Sequence, residues 1–145
     1  MLDLTVYRSQ IDQIDDHILA LLHQRAEIVK KVGELKARTG AENIYVPHRE
    51  KEIIDRLKAQ NRGRFPLVAL ETIYTEIISA CRALERPLRI AFLGPVGSFG
   101  HTASLRHFGS SAEFIPVVPQ PSIFTEVESG RSDYGVVAIE NSTYG

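Results

Sequence analysis

A chain of 145 residues has room for one domain or two small ones, and 43% hydrophobic with 24% charged content allows a packed core. The net charge of −1 gives no reason to expect nucleic acid or an anionic membrane as partner. A single cysteine, Cys81, excludes an internal disulfide framework and a cysteine-based zinc site. With no signal-like start and no apolar run approaching about 18 residues, the sequence predicts a soluble cytoplasmic protein.

Residues 4–38 read as one helix of roughly nine or ten turns, free of proline and with Gly33 as its only glycine. Ile11, Ile14, Ile18, Leu21, Leu22, Val29, Val32 and Leu35 recur at three- and four-residue spacing, which predicts one buried stripe. Thr39-Gly40 supplies a stop that tolerates left-handed geometry, and Lys30, Lys31, Lys36 and Arg38 suit the negative pole of the helix. Pro47 opens a second helix with Ile53, Ile54 and Leu57 on its buried side. Residues 61–64 form a turn, and Pro66 opens a third helix to about Glu85. Its apolar face is Leu70, Ile73, Tyr74, Ile77, Ile78, Cys81 and Leu84.

At Arg86-Pro87 the composition changes, so the expected domains are residues 1–86 and 87–145. Residues 88–93 read as a buried strand, followed by the glycine-rich Gly94-Pro-Val-Gly-Ser-Phe-Gly100. A helix over 101–108 closed by Gly109, a strand over 113–118, a helix over 121–129 and a strand over 134–139 follow. Alternating strand and helix predicts a parallel sheet, although about 57 residues are too few to bury a good parallel-sheet core alone.

Two cations interrupt the first helix's apolar stripe. Arg25 falls where Leu or Ile would be expected, and Lys36 lies eleven residues on, on the same face and about 16 Å along the axis. Long cations often lay their stems on a core and put their heads in water. The pattern recurs, however: Glu85 prolongs the apolar face of the third helix, and Arg49-Glu50 occupies the first turn of the second. Arg8 precedes Arg25 by seventeen residues, about 25 Å along the axis and roughly 100° around it. Arg8 and Arg25 of one helix therefore cannot clamp one small molecule. A shared site needs Arg8 from a second, antiparallel copy, and a helix too long for a three-helix monomer to cover also argues for a dimer.

Tyr7-Arg8-Ser-Gln-Ile11, Leu21-Leu-His-Gln-Arg25, Val32-Gly-Glu-Leu-Lys36, His48-Arg49-Glu50 and Ile77-Ile-Ser-Ala-Cys81-Arg-Ala-Leu-Glu85 together resemble the all-helical chorismate mutase domain. The resemblance implies an all-α, three-helix, intertwined homodimer whose long first helix serves both active sites. It also implies roles. Arg25, and Arg8 from the second copy, would hold the two substrate carboxylates with bidentate geometry. Lys36 would contact a carboxylate and the breaking ether oxygen, and Glu85 would donate to that oxygen. Glu50 would accept from the ring hydroxyl, with Arg49 as a supporting cation and Cys81 where several relatives carry Ser. Val46 stands where an Asp is common. The implied reaction, chorismate to prephenate by intramolecular Claisen rearrangement, needs no nucleophile, metal or cofactor; it needs a held conformation and charge stabilisation at the ether oxygen.

The glycine-rich segment after a strand and before a helix invites a phosphate-cradle reading, but it lacks Gly-Lys-Ser/Thr and the G-x-G-x-x-G spacing. It resembles the opening of prephenate dehydratase, and Glu140-Asn141-Ser142-x-x-Gly145 resembles a later motif of that family. Mutase followed by dehydratase is the layout of the bifunctional family acting in phenylalanine biosynthesis. The second half would then be the start of an α/β, periplasmic-binding-protein-like lobe, without the Thr-Arg-Phe motif central to dehydration. Ser98 for Thr is a mild departure, whereas Gly100 replaces a hydroxyl-bearing residue. The expectation is mutase activity without dehydratase activity. Other readings are a non-catalytic dimerising or regulatory helical module, and an isochorismate–pyruvate lyase on the same scaffold. The set Arg8, Arg25, Lys36, Glu50 and Glu85 argues against the first, and the attached dehydratase-like start against the second.

Overall fold

The computed structural model describes residues 3–40 and 46–139; the motif at 140–145 lies outside them. The chain forms two compact units, residues 1–42 and 43–145.

The first unit is a single helix, α1 (Leu4–Thr39), of 36 residues. The side chain of Asp3 accepts from the Val6 N–H at 3.1 Å and so caps the start. Gly40, at φ 77°, ends the helix by donating its N–H to the Lys36 carbonyl. Lys36 and Arg38 occupy the last turn, against the negative end of the dipole. The expected burial of the stripe is not found within this chain, and no residue of α1 is buried. Ile11, Ile14, Ile18, Leu21, Val32 and Leu35 are exposed. Leu22, Arg25, Ala26, Val29, Gly33 and Lys36 are part-buried, again at three- and four-residue steps. The reason is geometric: a helix about 50 Å long outruns what a chain of this size can lay along it.

In the second unit, α2 (Pro47–Gln60) packs on α3 (Leu67–Glu85). Pro47 sits in the first turn of α2, while its N-cap, Val46, supplies no side-chain hydrogen bond. The Asn61 side chain donates to the Phe65 carbonyl at 2.8 Å and closes the turn before α3. Pro66 is the N-cap of α3 rather than its first helical residue. The buried part of α3 is Ile78, Ser79, Cys81 and Arg82, whereas Ile73 and Leu84, expected on the packed face, are exposed.

The chain continues as β1 (Arg89–Leu93), α4 (Phe99–Phe108), β2 (Glu113–Val117), α5 (Pro121–Glu128) and β3 (Tyr134–Val136). The sheet is parallel, in the order β2-β1-β3. Ile90, Ala91 and Phe92 of the central strand are fully buried, as expected for a parallel strand covered on both faces. A core forms here, in a stretch that does not stand alone, because α3 packs on α4. Leu88, Ile90 and Phe108 make it, with Ala112, Phe114 and Val136 packed against them. α4 begins two residues earlier than expected because Ser98 is its N-cap, accepting from the His101 N–H at 3.3 Å. β3 ends at Val136, three residues short of the expected 139. Gly135 is required on β3: a Cβ there would lie 2.5 Å from Ile123 of α5.

Compactness divides the chain at 42–43 rather than at the composition change at 86–87, because α3 packs on α4 as well as on α2.

Candidate functional site

On α1, Arg8 is exposed, whereas Arg25 and Lys36 lie among its part-buried positions. The remaining candidate residues belong to α2 and α3. Arg49 is exposed and paired along its own helix with Glu52 at 3.5 Å, and His48 pairs with the same carboxylate at 3.0 Å. Cys81 is buried, and Glu85, one turn further along α3, is part-buried. Glu50 faces α3, and there the structure holds something the spacing did not announce.

The carboxylate of Glu50 accepts twice from Nη1 of Arg82, at 2.9 and 2.8 Å. Arg82 is only 6% exposed, and its Nη2 donates to the main-chain carbonyl of Phe108 at 2.6 Å. Phe108 ends α4, so its carbonyl is one of those left without an intrahelical partner, at the negative end of the helix. One guanidinium thus ties α2 to the C-terminus of α4 from its seat on α3. A buried cation needs such partners, and removing one half of a buried pair costs about 3–5 kcal/mol. Sequence reasoning passed over Arg82, which follows Cys81 and reads as an ordinary surface cation.

Two further side chains of α3 join this seam. Glu76 accepts from the Ser110 N–H at 2.9 Å and its hydroxyl at 2.6 Å. Ser79, 1% exposed, accepts from the Ser111 N–H at 3.2 Å. Between them sits Gly109 at φ +75°, where a Cβ would lie 2.6 Å from the Ser79 Oγ. Only glycine fits this approach.

The junction at Arg86 is likewise held. Asp133 accepts from both terminal nitrogens of Arg86, at 2.9 and 3.2 Å, and from the Arg89 N–H at 2.8 Å. Burial pushes the Asp133 carboxyl up. The hydrogen bonds from Arg86 and Arg89, with the Arg86 charge, outweigh it and hold the carboxyl below its ordinary value. The Arg86 guanidinium is raised in turn, chiefly by its hydrogen bond to Asp133.

The glycine-rich loop is no phosphate cradle. The Gly97 N–H donates to Nδ1 of His101 at 2.9 Å, and the Ser98 N–H donates to the Pro95 carbonyl at 3.1 Å. Donors that would meet a phosphate are used within the loop. The His101 ring also stacks on Phe92, with centroids 4.8 Å apart. Among the described residues no group of three His, Cys, Asp or Glu side chains could hold a metal ion, and no helix is long and apolar enough to cross a membrane. A groove of about 700 Å³ between α3 and α4, lined by Val68, Glu71, Thr72, Thr75, Thr102 and Arg106 among others, contains none of the candidate residues.

Comparison with known proteins agrees with the residue pattern. Residues 7–86 match the chorismate mutase type II family and residues 90–145 match the prephenate dehydratase family. A bifunctional chorismate mutase/prephenate dehydratase of Aquifex aeolicus is 44% identical over 149 aligned positions, covering 100% of this chain and 41% of the relative. Proteins of the same name from Neisseria gonorrhoeae and Escherichia coli are 41% and 31% identical, covering 96% and 98% of this chain and 38% and 41% of their own length. The chain thus spans about two fifths of the curated relatives it matches. With more than half of its length matched by one family, and the candidate cations and carboxylates all within that stretch, the chain belongs to the chorismate mutase type II family.

Proposed function

We propose that this chain is a chorismate mutase, converting chorismate to prephenate in aromatic amino-acid biosynthesis, and that it works in the cytoplasm as a homodimer. The observation that carries the reading is the family match over residues 7–86, which includes Arg8, Arg25, Lys36, Arg49, Glu50, Cys81 and Glu85. In this reading Arg25, with Arg8 from a second copy, holds the substrate carboxylates, and Lys36 and Glu85 face the ether oxygen. The dimer is supported by the exposed apolar stripe of α1 and by the seventeen-residue separation of Arg8 and Arg25. The mutase and dehydratase-like parts are taken as residues 1–86 and 87–145.

The chemistry asks for positioning and for electrostatic stabilisation of negative charge on the ether oxygen. Glu85 donates a hydrogen bond only when protonated. Glu85→Gln keeps a donor at this position and retains mutase kcat/KM, whereas Glu85→Ala lowers it by about a hundredfold or more; a near-wild-type Glu85→Ala enzyme would refute the role. The deciding assay is chorismate loss with wild type and Arg25→Ala side by side. No consumption by wild type, or equal rates in both, overturns the assignment.

A further inference from the structure

The Glu50–Arg82–Phe108 arrangement has a consequence for the mutase site, resting on the reading above that Glu50 accepts from the substrate's ring hydroxyl. A glutamate side chain has three rotatable bonds and, alone at the start of α2, would sample many directions. Here its carboxylate is held at 2.9 and 2.8 Å by one nitrogen of a guanidinium that is 6% exposed. That guanidinium is itself pinned by the Phe108 carbonyl at 2.6 Å. Phe108 belongs to the core with Leu88 and Ile90, so the anchor is rigid. A carboxylate has about four acceptor directions, and binding one nitrogen leaves capacity for a hydroxyl. We propose that Arg82 is a positioning residue of the mutase site: it aims the Glu50 carboxylate and transmits to it the placement of the C-terminus of α4. The substrate-hydroxyl acceptor is thereby set by a contact that originates in the α/β part of the chain.

The test uses the full 145-residue chain and steady-state kinetics with chorismate for Glu50→Gln, Arg82→Met, Arg82→Lys and the double variant Glu50→Gln/Arg82→Met, with thermal melts as the measure of folding. A hydroxyl contact made equally in ground and transition states appears in KM, so Arg82→Met raises KM about tenfold and leaves kcat within about twofold. The double variant is no worse than the poorer single one, because Arg82 acts through Glu50. Arg82→Lys restores KM to within about threefold of wild type, since an ammonium keeps a single contact. Fully multiplicative effects in the double variant, or a fall in kcat at constant KM, overturn the proposal. If Arg82→Met does not fold, Arg82→Gln, which loses the charged contact to Glu50 and raises KM on chorismate, is compared with wild type on a chorismate analogue lacking the ring hydroxyl. The KM ratio between the two proteins then falls to one, and a ratio equal to that seen with chorismate overturns the proposal. Wild-type kinetics in Arg82→Met beside a raised KM in Glu50→Gln removes this inference alone. A wild-type KM in Glu50→Gln removes the assigned role of Glu50, and the inference with it.

Discussion

α1 and α3 carry the same kind of pattern, an apolar stripe interrupted by ionisable groups, and the fold treats them in opposite ways. None of the 36 residues of α1 is buried, whereas the 19-residue α3 buries Ile78, Ser79, Cys81 and Arg82. Periodicity shows that a helix has a face to cover; it does not show what covers it. For α3 the cover comes from α2 and α4 of the same chain, and it brings partners for the polar groups it buries: Glu50 and the Phe108 carbonyl for Arg82, and the Ser111 N–H for Ser79. For α1 the cover proposed here is a second copy of the chain.

The sharpest way to break that contrast is to attack the stripe of α1. Ile14→Asp with Ile18→Asp should give a monomer by sedimentation and lower mutase kcat/KM by about a thousandfold or more, since Arg8 and Arg25 then no longer meet at one substrate. A dimeric, active double variant would refute the shared site. Next comes the polar seam of α3. Glu50→Ala strands the Arg82 cation and should cost about 3–5 kcal/mol in denaturant unfolding. Lys36→Ala on α1 should cost less stability than Glu50→Ala and remove about 2.7–4 kcal/mol of transition-state stabilisation, read from kcat/KM. If the stability losses of the two variants are equal, α1 and α3 are not the different devices described here.

A smaller effect is expected with acid. The lowered Asp133 carboxyl contributes stability that is fully present above its ordinary value near 3.8 and is lost as pH falls through the lowered folded value. Asp133→Asn should therefore be less stable than wild type at neutral pH, with the gap closing in the acid range of a set of melting curves; a constant gap would rule out the ionic contribution. Smallest of all, Val46→Asp gives α2 the side-chain N-cap it lacks and should add about 1 kcal/mol to stability, measured by the same unfolding curves.

Much of this was legible in the residues. Gly40 and Pro47 mark helix ends by local chemistry, and α1 runs within one residue of the expected span. The switch from helical spacing to short strands after Arg86 announced the parallel sheet. The misses lie at element ends: Ser98 moved the start of α4 because a cap is a matter of geometry, and β3 stops at Val136, short of the expected 139.

The sequence by itself determined the elements, their order, the family and the ionisable groups placed along α1, α2 and α3, because caps, prolines and periodicity act within a turn or two of the backbone. Only the tertiary structure decided which charge is buried and what answers it. Arg82 meets Glu50 thirty-two residues away and Phe108 twenty-six residues away. The burial of a cation depends on partners that no local pattern encodes, since the energy that permits it comes from groups brought together by folding.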